Sequence, residues 1–279
     1  KAGHFNNKNM TQSTTPPAPH PGHTMCFDIS KLRVQSINGY THEIRVVSEN
    51  EGFFAVLPAK SASCKDLFEA MHDYIATTYN AQSHRVEYAH ADAEGVLKSM
   101  QANFGSIGIT LTLSPPGQHA QRVERYTQTL HQRSRSTLDA LGYVLPPQFL
   151  LYLHIAVAAA MNLTPNAVSA PHTPYEKLYR RRKVFHKKCP FLPFGTVCMV
   201  GMGDAKRARM AKALQYPVQD VPKSEVGVCM GESSVFPATY LFYVESTRSI
   251  VPRRVISVLH PNTIPFTWKA KPSMTGVLQ

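Results

Sequence analysis

The sequence is poor in cysteine, in tryptophan and in acidic side chains, and each shortage closes off a class of protein. Its five cysteines (Cys26, Cys64, Cys189, Cys198 and Cys229) are odd in number, widely spaced, and form no Cys-x-x-Cys pair. That pattern supplies neither a zinc ribbon nor a disulfide framework, and it suits a reducing compartment. No apolar run reaches the roughly 20 residues that a membrane-spanning helix needs. The most apolar stretch, Phe149 to Met161, reads as a buried helix, so no membrane partner is expected. A secretory signal is missing, and the first residue is Lys rather than Met, as expected of a processed or truncated product. Gly-rich phosphate loops and nucleophile elbows are absent, and the 13 histidines form no His-x-x-x-His pair.

The shortage of acid leaves a strong positive balance. Against 30 Lys and Arg stand 18 Asp and Glu, giving a net charge of +12 and a pI of about 9.5. Such a surplus calls for a polyanionic partner; composition alone suits a ribosomal component as well as a DNA enzyme. The charge is concentrated late in the chain. Residues 173–254 hold 15 Lys and Arg against 6 Asp and Glu, which is +9 of the +12. Binding through this third should weaken steeply with salt.

At 279 residues and 43% hydrophobic content, the chain suits one large domain or two modest ones. Residues 1–22 are rich in Asn, Thr, Pro and His without periodicity, and read as a flexible tail. Residues 24–34, 41–47 and 52–58 read as strands, with Asn38-Gly39 marking a turn. Ser61 or Ser63 can cap a helix reaching Tyr79, with Leu67, Met71, Tyr74 and Ile75 as its apolar face. Strands over 85–91 and 109–113 flank a short helix from Glu94 to Asn103. A helix from His119 to Leu141 follows, and Pro146-Pro147 opens another that runs to Asn162. The core is expected to span 23–165 and a Pro-rich basic connector 166–193. Residues 194–262 read as an all-β module with strands over 196–202, 225–230, 238–244 and 249–259. A tail from 263 holds the only Trp, Trp268.

Three carboxylates sit on separate strand-like and helix-like stretches. Asp28 sits in the apolar run Met25-Cys-Phe-Asp-Ile29. Asp92 ends the run beginning at Arg85, and Glu124 enters the long helix after Ser114-Pro-Pro-Gly117. A pair of divalent cations about 3.5–4 Å apart needs several carboxylates from different elements. Alternation puts Cys26, Asp28 and Ser30 on one strand face, and a carboxylate on a central strand needs a cation or a basic partner. The plain alternative is an Asp paired with a core Arg or Lys. Glu94 reads as a solvated residue at the start of the short helix. Glu124, Gln128, His131 and Arg135 form one helix stripe, a DNA-facing surface or an ordinary solvated one. Arg180-Arg-Arg-Lys183 with Lys187-Lys188 puts six basic residues in nine, with Tyr179 and Phe185 interleaved, which favours a nucleic-acid contact or nuclear import over a solvated connector. Lys206, Arg207, Arg209 and Lys212 read as a basic loop, and Arg253-Arg254 as strand residues able to reach phosphate.

These positions also carry a resemblance. Ser36-Ile-Asn-Gly39, Leu113-Ser-Pro-Pro-Gly-Gln-His119, Arg122-Val-Glu-Arg125, Thr173-Pro-Tyr-Glu176, Phe194-Gly195 and Val251-Pro-Arg-Arg254 stand in the order found in copia-type (Pseudoviridae-like) retrotransposon integrases. Over residues 24–260 the chain resembles their catalytic core and C-terminal domain. The resemblance implies an α/β ribonuclease-H-like core followed by a small SH3-like β-barrel. It implies a DDE-type polynucleotidyl transferase with Asp28, Asp92 and Glu124 as catalytic residues and metal ligands, holding two Mg²⁺ (or Mn²⁺) ions. Asp28 and Asp92 would share one ion, and Asp28 and Glu124 the other. The implied reaction is 3′-end processing and strand transfer of element DNA into target DNA by a homo-oligomer, in the nucleus or in a cytoplasmic particle before import. His119, Arg125 and Gln128 would contact DNA along with the basic clusters. Two stretches depart from the family pattern: Asp92-Ala-Glu-Gly95 replaces Asp-Asn-Gly-Gly, and Ala120-Gln-Arg-Val123 lacks the usual Asn. The upstream zinc module of the family does not appear in this sequence. The alternative is a domesticated, catalytically silent descendant acting as a nucleic-acid-binding scaffold, with RNA and protein partners in an intracellular ribonucleoprotein complex.

Overall fold

Alternating apolar residues build a central sheet with two different faces. The computed structural model describes residues 20–93, 95–114, 120–184, 191–233, 239–260 and 263–271, the side chains of 120 and 121 excepted. Strands β1 (Thr24–Lys31), β2 (His42–Ser48) and β3 (Phe54–Ala59) form an antiparallel meander. Gly39 takes φ +84° in the first turn, a conformation that glycine adopts without strain. Strands β4 (Tyr88–Asp92) and β5 (Thr110–Ser114) add parallel to β1 and to each other. Parallel neighbours need crossovers, and helices α1 (Cys64–Thr78) and α2 (Gly95–Ser106) supply them. The order is β3-β2-β1-β4-β5. This mixed five-stranded sheet, with only β2 reversed, has the strand order of a ribonuclease-H-like domain.

Strand alternation decides what each face packs against. Met25, Phe27, Ile44 and Val46 meet Leu67 and Met71 of α1 and Leu97, Met100 and Phe104 of α2. Cys26, Val47, Phe54 and Val56 point the other way, toward α3 (Ala120–Ala140) and α4 (Leu150–Met161). Ser63 caps α1 by accepting a hydrogen bond from Asp66 N at 3.1 Å. In α3, Val123 and Leu130 are buried while Arg125, Gln128 and Arg135 are exposed. α4 is apolar on nearly every side because it is covered twice, by the sheet and by the C-terminal module, where Gly231 abuts Ala156.

That module is a second five-stranded sheet: β6 (Val197–Gly201), β7 (Ser224–Glu232), β8 (Tyr240–Val244), β9 (Ser249–Arg253) and β10 (Val255–Val258). All its pairs are antiparallel, in the order β10-β6-β7-β8-β9. The expected single strand over 249–259 is two, separated by Arg254, because its first half pairs with β8 and its second with β6. The edges of the sheet are thus consecutive in the chain. Bulges at Cys229/Gly231 and Val255/Ser257 add local twist. The connector contains α5 (Pro174–Tyr179), started by a capping box between Thr173 and Glu176.

The two sheets share one apolar core. Phe149, Val123 and Leu153 from the first part cluster with Val197, Val228, Met230 and Tyr243 from the second. Phe149 is fully buried; its truncation to Ala would cost about 3–5 kcal/mol. Tyr143 donates to the Gly195 carbonyl at 2.7 Å. Trp268, in the stretch read as a tail, packs against Tyr143, Phe149 and Tyr243 with ring centroids 5.3, 5.2 and 5.9 Å away.

Candidate active site

The sheet brings two of the three predicted carboxylates side by side. β1 and β4 run parallel with Phe27 opposite Ala91, so Asp28 and Asp92 occupy the next step along each strand. Both line one small open depression, with Cys26, Phe27, His90, Ala91 and Val123. On the outer flanks, Asp28 is paired in register with Arg45 of β2, and Asp92 with Ser114 of β5.

Electrostatics bear on Asp28 in particular. Burial pushes the Asp28 carboxyl above its ordinary range; the negative charges of Asp92 and Glu43 push the same way, against Arg45 and the Ile29 N–H. Asp92 Oδ1 is buried and has no hydrogen-bond partner. An orphaned carboxylate oxygen beside a second, desolvated carboxylate is the donor set a hard divalent cation prefers. These two residues therefore fit such an ion.

Glu124 stands apart from them. It is exposed in the first turns of α3, and its Oε1 accepts from Gln128 Nε2 at 3.3 Å along the helix stripe. Its neighbour Val123 is the residue that lines the depression. Among the described residues, no three His, Cys, Asp or Glu gather in a way that could hold a metal ion. The start of α3 is tied to the sheet by Arg122, which pairs with Glu49 at 3.0 Å. Glu49 also accepts from Cys26 Sγ at 3.2 Å. Burial holds the Cys26 thiol well above its usual range, and the Glu49 charge adds to the effect.

Sequence reasoning passed over a buried polar group beside Asp28. Glu43 and Arg45 of β2 are 1% and 8% exposed. Glu43 accepts from Arg45 Nε at 2.9 Å and is bonded to His154 Nδ1 of α4 at 2.8 Å. His131 of α3 stacks edge-on against His154, at 5.5 Å. Burial would raise the Glu43 pKa, but the His154 and Arg45 bonds and charges outweigh it and hold it below the usual carboxylate range. The available signal was the alternation in His42-Glu-Ile-Arg45, which puts both charges on the Asp28 face.

The predicted nucleic-acid contacts divide by what already holds them. Arg125 and Gln128 are exposed on α3. Arg180, with φ +52°, and Arg181 are exposed after α5. Arg182 pairs with Glu176 at 3.1 Å, and Lys183 with Glu232 at 2.7 Å while lying 5.5 Å over the Tyr175 ring. Lys206, Arg207 and Arg209 lie on a helix, α6 (Asp204–Leu214), and not in a loop. Its Ala- and Lys/Arg-rich sequence has high helix propensity. Lys206 is engaged by Glu225 and Ser246. Arg207 donates to the Val218 carbonyl at 3.0 Å, and Arg209 Nε to Ala205 O at 3.3 Å. Arg253 ends β9 half-buried, with Nη1 donating to Pro252 O at 3.1 Å, and Arg254 is exposed between the strands. His119, Lys187, Lys188 and Glu94 lie outside the described residues.

No protein-family model matches the sequence, and neither does any curated protein. Among solved structures, the chain is similar to the catalytic core domain of BIV integrase, at 18% identity over 57% of this chain and 95% of that one, TM-score 0.43. It is similar to the HTLV-2 integrase catalytic core in complex with magnesium, at 13% identity over 58% and 99%, TM-score 0.44. A chain of the simian T-cell lymphotropic virus intasome, solved with a PP2A regulatory subunit, is 12% identical over 86% and 78%, TM-score 0.46.

Proposed function

We propose that this chain is a DDE-type polynucleotidyl transferase of the copia-type integrase kind, acting on DNA ends. The observation that carries the reading is the placement of Asp28 and Asp92. They occupy the step after the Phe27–Ala91 pair on adjacent parallel strands, Asp28 within β1 and Asp92 at the end of β4, and Asp92 keeps a buried oxygen without a hydrogen-bond partner. Asp28 and Asp92 would hold a Mg²⁺ or Mn²⁺ ion, and the exposed Glu124, one residue beyond the depression wall, would have to turn inward from its bond with Gln128 to supply the third carboxylate for a second. When bound, such ions supply a nucleophile at neutral pH and stabilise the leaving oxygen. The residues themselves orient the phosphate. The parallel strands set the spacing of the two carboxylates, buried Val123 and Leu130 seat α3 against the sheet, and Arg125 and Gln128 would present donors to the DNA backbone. The second sheet, with its edges joined through Arg254, would serve as the SH3-like barrel and its exposed arginines as phosphate contacts. A homo-oligomer acting in the nucleus is part of the same proposal.

Strand transfer tests it. Purified protein is given labelled element-end DNA, Mn²⁺ or Mg²⁺ and a plasmid target, with Asp92→Asn and Glu124→Gln beside it. Joined products that both variants lose establish the activity and its ligands. Absent products and absent metal-dependent stabilisation, with tight RNA binding retained, overturn it in favour of a silent scaffold.

A further inference from the structure

The buried group on β2 sits against one of the carboxylates assigned to metal binding, and no step of the proposed reaction uses it. Asp28 and Arg45 are direct partners in the β1–β2 register. On one face of an antiparallel pair such residues have Cβ atoms about 4.5–5.5 Å apart. Both point toward α3 and α4, as the apolar neighbours Cys26 and Val47 on the same faces do. Arg45 is not a mobile surface cation. It is 8% exposed, and Glu43, itself 1% exposed, receives its Nε and Nη2. Glu43 is in turn held by His154 from α4. Two elements therefore immobilise one guanidinium beside Asp28.

We propose that Arg45 is a positioning residue that acts as a built-in counter-charge for Asp28 and sets how tightly a divalent cation binds there. The inference rests on the reading of Asp28 and Asp92 as metal ligands. Its physical content is competition: a fixed positive charge close to Asp28 steadies the metal-free site and opposes an incoming cation. Anchoring by Glu43 and His154 keeps it from swinging aside.

Calorimetric titration of the full chain with Mn²⁺ tests this, using the wild type, Asp28→Asn, Asp92→Asn, Arg45→Gln and Arg45→Lys. Arg45→Gln should bind Mn²⁺ about tenfold more tightly than wild type, the sign expected when a nearby like charge is removed. It should also melt at lower temperature without metal. Arg45→Lys, which keeps the charge, should stay near wild-type affinity and guards against misfolding of the Gln variant. A purely structural role gives weaker or unchanged binding in Arg45→Gln, and that result overturns the proposal while leaving the metal site intact. If wild type binds no Mn²⁺, or Asp28→Asn and Asp92→Asn bind it equally well, the metal-site reading fails and this inference with it.

Discussion

Arg45 and Asp28 face each other across β1 and β2, and the same Arg45 is clamped by Glu43 on its own strand. One strand thus carries a buried acid and base two residues apart, both on the face that carries the candidate chemistry. The arrangement makes the stability of the fold depend on charges that matter to the site.

Asp28→Asn should abolish strand transfer and raise stability at neutral pH. Asp28 is held above its ordinary pKa, so the folded chain keeps that proton more tightly than the unfolded chain does. Stability is then lost as pH rises from the ordinary carboxylate value, about 4, through the folded one. The Asn variant lacks this loss. Thermal melts from pH 3 to 7 should converge for the two proteins at the acid end and separate above it, with Asn the higher.

Glu43 predicts the opposite slope. Its folded pKa is depressed, so its contribution is full above the ordinary carboxylate value and disappears as pH falls through the folded one. Glu43→Gln should flatten that acid limb in urea titrations. His154→Phe removes one of two partners from a buried carboxylate and should cost about 1–3 kcal/mol.

Trp268 is the only tryptophan, and it lies against rings from both parts of the chain. Its emission should be blue-shifted in the native protein and move red when the second sheet undocks. Tyr143→Phe removes the bond to the Gly195 carbonyl, at a cost of about 1–2 kcal/mol, and should bring that red shift to lower denaturant. An unmoved transition would show that the hydroxyl contributes nothing to docking.

The basic residues should separate into two kinds. Arg125→Ala, on an exposed helix face, should weaken DNA binding and reduce the salt slope by about 1. Lys206→Ala removes a partner already held by Glu225 and Ser246, so it should lower the melting temperature and leave the salt slope unchanged. Titrations at several salt concentrations, paired with melts, measure both.

Much of this was legible from residues. Alternation located the first three strands and the face of Asp28, Asn38-Gly39 marked the turn, and a serine cap at 61 or 63 with the apolar stripe located α1. Adjacency of Asp28 and Asp92 came from the resemblance, because strand order is a long-range property that local periodicity does not encode. The fate of the charged residues was illegible for the same reason. Whether Lys206 meets solvent or Glu225 depends on how β7 lies against α6, 19 residues away in sequence. α6 itself lay inside a stretch read by its charge alone. The break at Arg254 follows from pairing with two different strands, which a continuous β-like pattern does not reveal.

The shared core around Phe149 and Trp268 has a geometric consequence. A second sheet joined only by a linker could swing and would set no distance to the carboxylates. Here α4 is packed on both sides, and residues 142–144 are bonded to residues 269–271. The separation between the exposed Arg254 and the Asp28–Asp92 pair is therefore built into the fold. Under the proposed function, a duplex held at Arg254 would meet the carboxylates at a fixed number of base pairs from it, so the protein would measure its substrate as a rigid gauge does.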